Sequence, residues 1–231
     1  MKKFNYFLPI FLQKIIYIIF FPLYKFFLRI EIHGKKNICG LTGPLILAPN
    51  HTSELDATAM PLTLPFFSKL TPIYSVIYPL SKYRADDFGW RGYIYGTRFL
   101  TWLGGYPVYS GYRSYTTSLD NHIKLLRKGR TVCIFPEGKC TLDGKMNPAR
   151  GGLGYMVYTT GATVVPIAID TFFNMSWRDF LTRQRKVIIK IGKPIKADKI
   201  IARNIDKEDL TVDDYHNASQ IVLDKIKLMM D

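Results

Sequence analysis

Short apolar runs of strand length alternate with segments of helical pattern along most of this chain, and no other sequence feature constrains the fold as strongly. Runs rich in β-branched and aromatic residues between turn-forming residues predict strands. The predicted strands are residues 29–33, 45–48, 73–78, 107–109, 131–135, 163–169 and 186–191, and the predicted helices are 57–67, 114–128, 151–160 and 212–230. This alternation predicts an α/β fold, a single layered domain with a mostly parallel or mixed central sheet.

The N-terminal segment, residues 4–28, is almost entirely apolar and aromatic. Lys14 lies in its middle, and the uncharged stretch from there to Lys25 is shorter than the roughly 20 residues that a membrane-spanning helix needs. Pro9 and Pro22 interrupt the helical pattern. We therefore expect an arm of one or two helices that lie in the membrane interface, where lysine side chains can reach water.

The change in composition after this arm predicts the domain organisation. Residues 1–30 form a membrane-interface helical segment, and residues 31–231 form one further domain, which is long enough to bury a core. An apolar helix packed inside that domain is the alternative interpretation of the first segment.

Charge and cysteine content restrict the partners and the setting. The chain has 32 Lys and Arg against 18 Asp and Glu, a formal net charge of +14, which predicts an anionic partner. An anionic membrane surface and nucleic acid both qualify, but the apolar arm favours the membrane and disfavours nucleic acid. The three cysteines, Cys39, Cys133 and Cys140, are odd in number and have no metal-ligand spacing, which indicates a reducing, cytoplasmic setting without a metal site.

A histidine and a carboxylate lie close together in the run from Asn50 to Asp56. Imidazole titrates near neutrality, and a carboxylate fixes its tautomer and stabilises its cation, so His51 with Asp56 is equipped to take a proton from a hydroxyl. Ser53 and Asp56 also fit a helix-capping pattern, on which view Asp56 only caps a helix. The two interpretations are compatible if His51 lies on a loop and Asp56 in the first helical turn.

A second motif, Phe135-Pro136-Glu137-Gly138, follows a predicted strand in the same way. Ligands of α/β sheets bind outside the carboxyl ends of strands, so both motifs can face one crevice. With the run Asn50-His51-x-x-x-x-Asp56, this block makes the chain resemble the glycerolipid acyltransferases, the family that includes 1-acylglycerol-3-phosphate acyltransferase. The resemblance extends over about residues 31–192.

The resemblance implies a monotopic O-acyltransferase on the cytoplasmic face of the membrane. It implies that His51 is the general base and Asp56 its orienting partner. The donor is then an acyl thioester, on coenzyme A or acyl carrier protein, and no metal or redox cofactor is required. The acceptor is a lysophospholipid hydroxyl, most plausibly that of 1-acylglycerol-3-phosphate, and residues 31–231 form the acyltransferase domain.

The resemblance also implies that the second motif binds the acceptor headgroup. Glu137 and Gly138 then lie at the headgroup, although a glutamate satisfied by backbone amides in a tight turn is the simpler interpretation of Glu137. The family usually has arginine where this chain has Cys140, and again where it has Ser110. Lys139 replaces the charge but not the planar fork of arginine, and Arg113 is the candidate for the other position. We therefore predict substrate binding by Glu137, Gly138, Lys139 and Arg113.

Several alternatives stay open at this point. The displaced arginines also suit a different lysolipid or an aminolipid acceptor, and a catalytically silent membrane-binding protein would carry the same apolar arm. Cys140 as a covalent nucleophile is a weaker possibility, because nothing nearby indicates a lowered thiol pKa. His33, His122 and His216 lack partners at metal-ligand spacing, and we interpret them as surface histidines.

Overall fold

A computed structural model gives the structure of the chain and describes residues 5–79, 82, 89–95, 98–108, 114–170, 172–201 and 210–230. Within these ranges one sheet is formed by seven strands, β1 (Glu31–His33), β2 (Leu45–Pro49), β3 (Ile73–Ile77), β4 (Gly105–Pro107), β5 (Thr131–Cys133), β6 (Thr163–Asp170) and β7 (Ile188–Ile191). Each predicted strand overlaps an observed one: β1, β3, β5 and β7 are shorter than predicted, β2 and β6 are one residue longer, and β4 begins two residues earlier.

The sheet has the strand order β1-β7-β6-β2-β5-β3-β4. Its neighbouring strands are parallel except β6 and β7, which are antiparallel. The predicted α/β class with a mostly parallel, mixed sheet is therefore confirmed. The central strands β2, β5 and β6 are buried almost along their whole length, which explains their continuous apolar sequence.

The helices are α1 (Phe7–Phe27), α2 (Leu55–Thr63), α3 (Gly92–Tyr95), α4 (Phe99–Trp102), α5 (Tyr115–Ser118), α6 (Asp120–Arg127), α7 (Gly152–Thr160), α8 (Trp177–Leu181) and α9 (Val212–Met230). The long C-terminal helix has the predicted bounds. The predicted helix over 114–128 is two helices instead, because the chain departs from helical geometry at Leu119. The short helix α8 was not predicted, although Ser176 and Asp179 form a complete capping box at its start.

Helices cover both faces of the sheet. Successive residues of a strand point to opposite faces, so Ile46 and Ala48 of β2 pack under α6, α7 and α9, while Leu45 and Leu47 pack on the side of α1 and α2. The result is a three-layer structure with one apolar cluster on each side of the sheet.

His122, on the buried face of α6, corrects one sequence interpretation. Its side chain is fully buried rather than on the surface, and neither ring nitrogen has a hydrogen-bond partner within the described residues. Burial lowers the pKa of His122 to about 4, although backbone groups of Ser75 and Tyr106 oppose this slightly. The side chain is therefore neutral near pH 7 and serves as part of the core.

The N-terminal segment forms one continuous helix, α1, and the predicted interruption by proline is wrong. Pro9 is the third helical residue, where the backbone N–H has no intrahelical acceptor and its loss costs nothing. Pro22 lies inside the helix, where ring contacts between Tyr17 and Phe21 and between Phe20 and Tyr24 hold the turns on either side. By length and composition α1 is able to cross a membrane.

One side of α1 is attached to the sheet and to α2. The side chain of Gln13 is buried and donates to the carbonyl oxygens of Ile73 and Leu103 at 2.7 and 2.8 Å, while it accepts from the Ile73 N–H at 2.9 Å. Farther along the helix, the Tyr24 hydroxyl is 2.7 Å from Thr58 Oγ1 on α2. These polar contacts fix both the rotation and the position of α1 against the domain. The boundary between segments 1–30 and 31–231 stays a prediction.

We expect Gln13→Leu to lower the free energy of unfolding by at least about 2 kcal/mol, because it leaves buried backbone groups at Ile73 and Leu103 without partners. Denaturant unfolding in mild detergent measures the change. Gln184→Leu, at an exposed position, is the matched control and should have little effect. Equal stability of both variants would show that Gln13 does not hold α1 in place.

Candidate active site

Two loops meet at the carboxyl ends of neighbouring parallel strands. His51 follows β2, and Glu137 follows β5, which pairs with β2 in register from Leu45 opposite Thr131. The His51 carbonyl accepts from the Thr141 N–H at 3.0 Å, so the two loops are also joined by backbone. The structure therefore brings the two sequence motifs to one edge of the sheet. The sequence allowed this arrangement but could not show it, because the strand order cannot be read from the sequence.

The side chains of His51 and Asp56 are hydrogen-bonded. His51 Nδ1 is 3.1 Å from Asp56 Oδ2, and the carboxylate is completely buried while the imidazole side chain is 16% exposed. Because a carboxylate only accepts, Nδ1 must carry the proton, and Nε2 is the unprotonated nitrogen of the neutral ring. This arrangement suits a base that takes a proton at Nε2.

Asp56 also organises the turn that precedes α2. Its Oδ2 accepts from the backbone N–H groups of Thr52 and Ser53 at 2.6 and 2.8 Å, and its Oδ1 accepts from the Thr52 hydroxyl at 3.2 Å. Asp56 is the second residue of α2, so it satisfies loop donors and orients His51 at the same time. Asp56 therefore holds the loop before α2 and orients His51, and α2 begins at Leu55 without a side-chain cap.

The imidazole ring lies between an aromatic ring and a sulfur atom. Phe135 stacks on His51 with ring centroids 3.9 Å apart and planes at 19°. Cys140 Sγ is 3.2 Å from Nε2 and 3.5 Å from Nδ1. A sulfur on the lone-pair axis of Nε2 would be much farther from Nδ1, so Sγ rests against the ring rather than in line with the free nitrogen.

Cys140 is a poor nucleophile in this environment. Burial, and then the nearby carboxylates Asp56, Glu54 and Glu137, raise the pKa of its thiol to about 12. A thiolate is the reactive form, so this side chain contributes packing and not covalent chemistry.

Glu137 connects the two loops. The carboxylate is 1% exposed; its Oε1 accepts from the His51 backbone N–H at 2.7 Å, and its Oε2 accepts from the backbone N–H and side chain of Asn147 at 2.6 and 3.3 Å. Burial raises the pKa of Glu137, and these hydrogen bonds oppose the rise. With both oxygens occupied by protein donors, Glu137 holds the loop of His51. Its contact with the acceptor stays a prediction.

The other predicted binding residues have different surroundings. Gly138 has φ of +71°, and a methyl group on it would lie 2.8 Å from the side chain of Arg150. Lys139 is exposed beside it. Arg113 lies outside the described residues, as does Ser110.

Sequence reasoning missed Asn147, Tyr78 and Arg150. The Tyr78 hydroxyl donates to the Gly138 carbonyl at 2.5 Å, and the Arg150 N–H donates to the Pro136 carbonyl at 2.8 Å. No spacing or periodicity marks these residues, because Tyr78 reaches the turn from the end of β3 and the other two reach it from the segment before α7. Within the described part of the chain, no group of three or more His, Cys, Asp or Glu side chains has the arrangement of a metal site.

Comparison with known proteins identifies the family. A family model described as Acyltransferase matches residues 29–170, more than half of the chain. The chain belongs to the acyltransferase family. This result confirms the resemblance to glycerolipid acyltransferases, while the roles of the individual motif residues stay predictions.

Three curated relatives are named 1-acyl-sn-glycerol-3-phosphate acyltransferase. A chloroplastic protein of Arabidopsis thaliana is 30% identical over 152 residues, covering 64% of this acyltransferase and 37% of the relative. A chloroplastic protein of Brassica napus is 27% identical over 150 residues, covering 64% and 38%. The alpha form of Mus musculus is 23% identical over 194 residues, covering 83% and 60%. The chain thus spans less than two thirds of each relative.

A solved structure has the same fold as this acyltransferase. The crystal structure of the 1-acyl-sn-glycerophosphate acyltransferase PlsC from Thermotoga maritima superposes with a TM-score of 0.57. The match covers 96% of this chain and 94% of that chain at 18% sequence identity. At this identity the comparison supports the overall architecture alone.

We expect Glu137→Gln to lower both the free energy of unfolding and the turnover number. In the variant, the amide nitrogen of glutamine replaces one carboxylate oxygen and faces a backbone N–H of His51 or Asn147. Two donors then face each other, and a buried N–H left without an acceptor costs about 1–3 kcal/mol. Glu31→Gln is the control, because Glu31 is exposed and pairs with Lys186 at the surface. Unchanged stability of Glu137→Gln would contradict the loop-holding role.

Proposed function

We propose that this protein transfers a fatty acyl chain from an acyl thioester to the hydroxyl of 1-acylglycerol-3-phosphate, giving phosphatidic acid. The observation that carries the proposal is the His51–Asp56 pair, in which Nδ1 is bound and Nε2 is free, at the carboxyl end of β2. Family membership and the names of the relatives support the reaction class.

In the proposed mechanism, His51 Nε2 takes the proton from the hydroxyl of the lysophospholipid while the oxygen of that hydroxyl attacks the thioester carbonyl. A new C–O bond forms, and collapse of the tetrahedral intermediate breaks the C–S bond. The imidazolium, stabilised by Asp56, returns the proton to the leaving thiolate. General-base assistance of this kind accelerates reactions by about 10² to 10⁴-fold.

Direct attack by the acceptor is favoured over a covalent acyl-enzyme. The candidate nucleophile, Cys140, rests against the imidazole and has a raised thiol pKa. The reaction as written balances with the thioester alone, so the proposal requires no metal or redox cofactor. Measuring the rate with acyl-coenzyme A and with acyl-loaded acyl carrier protein identifies the carrier of the thioester.

We expect His51→Ala and Asp56→Asn each to reduce acyl transfer at least about 10²-fold, because one removes the base and the other the charge that stabilises its cation. The assay follows phosphatidic acid formation from 1-acylglycerol-3-phosphate and acyl-coenzyme A, with circular dichroism to show that the variants fold. His33→Ala is a matched control, since His33 also pairs with a carboxylate, Glu31, but at an exposed site.

Either His51→Ala or Asp56→Asn retaining more than about a tenth of the wild-type rate would exclude His51 as the base. A wild-type protein that binds membranes but acylates no lysolipid would favour the silent membrane-binding alternative. A rate that is higher with an aminolipid or another lysophospholipid than with 1-acylglycerol-3-phosphate would change the acceptor and keep the mechanism.

The proposed location is the membrane interface, with α1 lying on the surface. Outside its contacts with the domain, α1 exposes the large apolar side chains Phe7, Phe11, Ile18, Ile19 and Phe26. Trp177 and Leu181 of α8 are 78% and 61% exposed, and α8 adjoins the end of α1 through stacking of Phe180 on Phe27 at 4.7 Å. The two helices thus form one apolar surface.

Basic residues border this surface. Arg183 lies over the Phe26 ring at 4.6 Å, and Lys14 lies over the Phe66 ring at 4.3 Å. An apolar face flanked by cations suits an anionic lipid surface, in agreement with the net charge of +14. Because Gln13 and Tyr24 attach α1 to the domain along its length, the helix lies along the protein rather than away from it. The cytoplasmic side of the membrane is part of this proposal.

We expect the double variant Phe11→Ser, Ile18→Ser to bind vesicles of phosphatidylcholine and phosphatidylglycerol at least about tenfold more weakly, since each side chain loses apolar burial in the lipid. Co-sedimentation measures the change. Leu228→Ser is the control, because Leu228 is 67% exposed on α9, which covers the opposite face of the sheet. Equal binding of all three proteins would move the membrane contact to another surface.

A further inference from the structure

Arg150 is held against the turn that carries the second motif. Its backbone N–H donates to the Pro136 carbonyl at 2.8 Å. Its side chain crosses Gly138 so closely that a methyl group there would lie 2.8 Å from Cδ and 3.3 Å from Nε. Gly138 has a φ of +71°, which by itself favours glycine, and it leaves space that the Arg150 side chain occupies. The Arg150 side chain therefore lies along the surface of this turn, beside the second motif.

The guanidinium of Arg150 is available to a ligand. Arg150 is exposed, and no carboxylate among the residues that the structure describes lies within ion-pair distance of it. Its side chain likewise makes no hydrogen bond within those ranges. A guanidinium has five N–H donors in a planar fork, which matches two oxygens of a phosphate.

Arg150 is on the same rim as the proposed base. The turn it crosses includes Glu137, which accepts from the His51 N–H, and Gly138, whose carbonyl accepts from Tyr78. Burial, and then the nearby Cys140 sulfur, raise the pKa of Tyr78, and the positive charge of Arg150 opposes that rise. Tyr78 is thus within electrostatic range of both the arginine and the sulfur that touches His51.

A cation at this place suits the chemistry of the acceptor. In 1-acylglycerol-3-phosphate the reacting hydroxyl and the phosphate ester are on adjacent carbons. When the hydroxyl is at His51 Nε2, the phosphate must therefore lie within a few bonds of it, on the rim of the same crevice. Cys140, at the position where the resemblance leads one to expect arginine, has no charge to offer.

We propose that Arg150 binds the phosphate group of the acceptor and replaces the arginine that this chain lacks at position 140. The inference rests on the proposed acyl transfer and adds to it the residue that selects a phosphate-bearing acceptor. Lys139 is the competing cation, but it is exposed and has no described contact that fixes its side chain. Its flexible ammonium provides charge without a bidentate geometry.

The test compares Arg150→Gln with Arg150→Lys and with Lys145→Gln, which removes one exposed charge from the same loop. We expect Arg150→Gln to raise the KM for 1-acylglycerol-3-phosphate about ten- to a hundredfold, the loss of one charge-assisted contact, with a much smaller change in kcat. The preference for that acceptor over uncharged monoacylglycerol falls by the same factor. Arg150→Lys has an intermediate KM, and Lys145→Gln matches the wild type.

Two further measurements separate the possible outcomes. Inorganic phosphate should inhibit the wild type competitively and the Arg150→Gln variant more weakly, which distinguishes a phosphate site from a general contact with the lipid. If the wild type acylates no lysolipid, the proposed function fails. Calorimetric binding of glycerol 3-phosphate to the wild type and to Arg150→Gln then still tests whether Arg150 binds a phosphate group. An unchanged KM or an unchanged binding constant in Arg150→Gln overturns it, as does a larger effect of Lys139→Gln.

Discussion

The hydrogen bond from the His51 backbone N–H to the buried Glu137 carboxylate is the contact on which the site depends. The two residues are 86 positions apart, and each stands at the end of one of two paired strands. Parallel pairing of β2 and β5 aligns the strand ends, and the buried carboxylate then fixes the loops to each other. The other features follow: Asp56 orients the imidazole from α2, Phe135 stacks on it, and Arg150 crosses the next turn.

Much of the fold was predictable because its signals are local. Short apolar runs between turn-forming residues identified the strands, and the helical pattern of residues 212–230 predicted the bounds of α9. The two motifs were predictable for the same reason, since each is a short run of residue types with specific chemistry. The placement of His51 on a loop and of Asp56 in the first turn of α2 was predictable as well, because it depends only on where one helix begins.

Contacts between distant segments were not predictable from one sequence. Gln13 looked like a polar interruption of an apolar arm, but its amide pairs with backbone groups some 60 and 90 residues away. His122 looked like a surface residue, yet it belongs to the core. The continuity of α1 through Pro22 depends on ring contacts that propensity does not include. Arg150 was missed because only the turn geometry at Gly138 brings it to the rim.

The central claim is that Nε2 of His51 is the free nitrogen that takes the acceptor proton. Nitrogen-15 NMR of protein labelled at histidine reports the tautomer of each ring, and the spectrum of His51→Ala assigns the signal. At a pH where the ring is neutral, we expect a protonated Nδ1, hydrogen-bonded to Asp56, and an unprotonated Nε2. A His51 ring found with its proton on Nε2 would contradict the proposed base and the mechanism built on it.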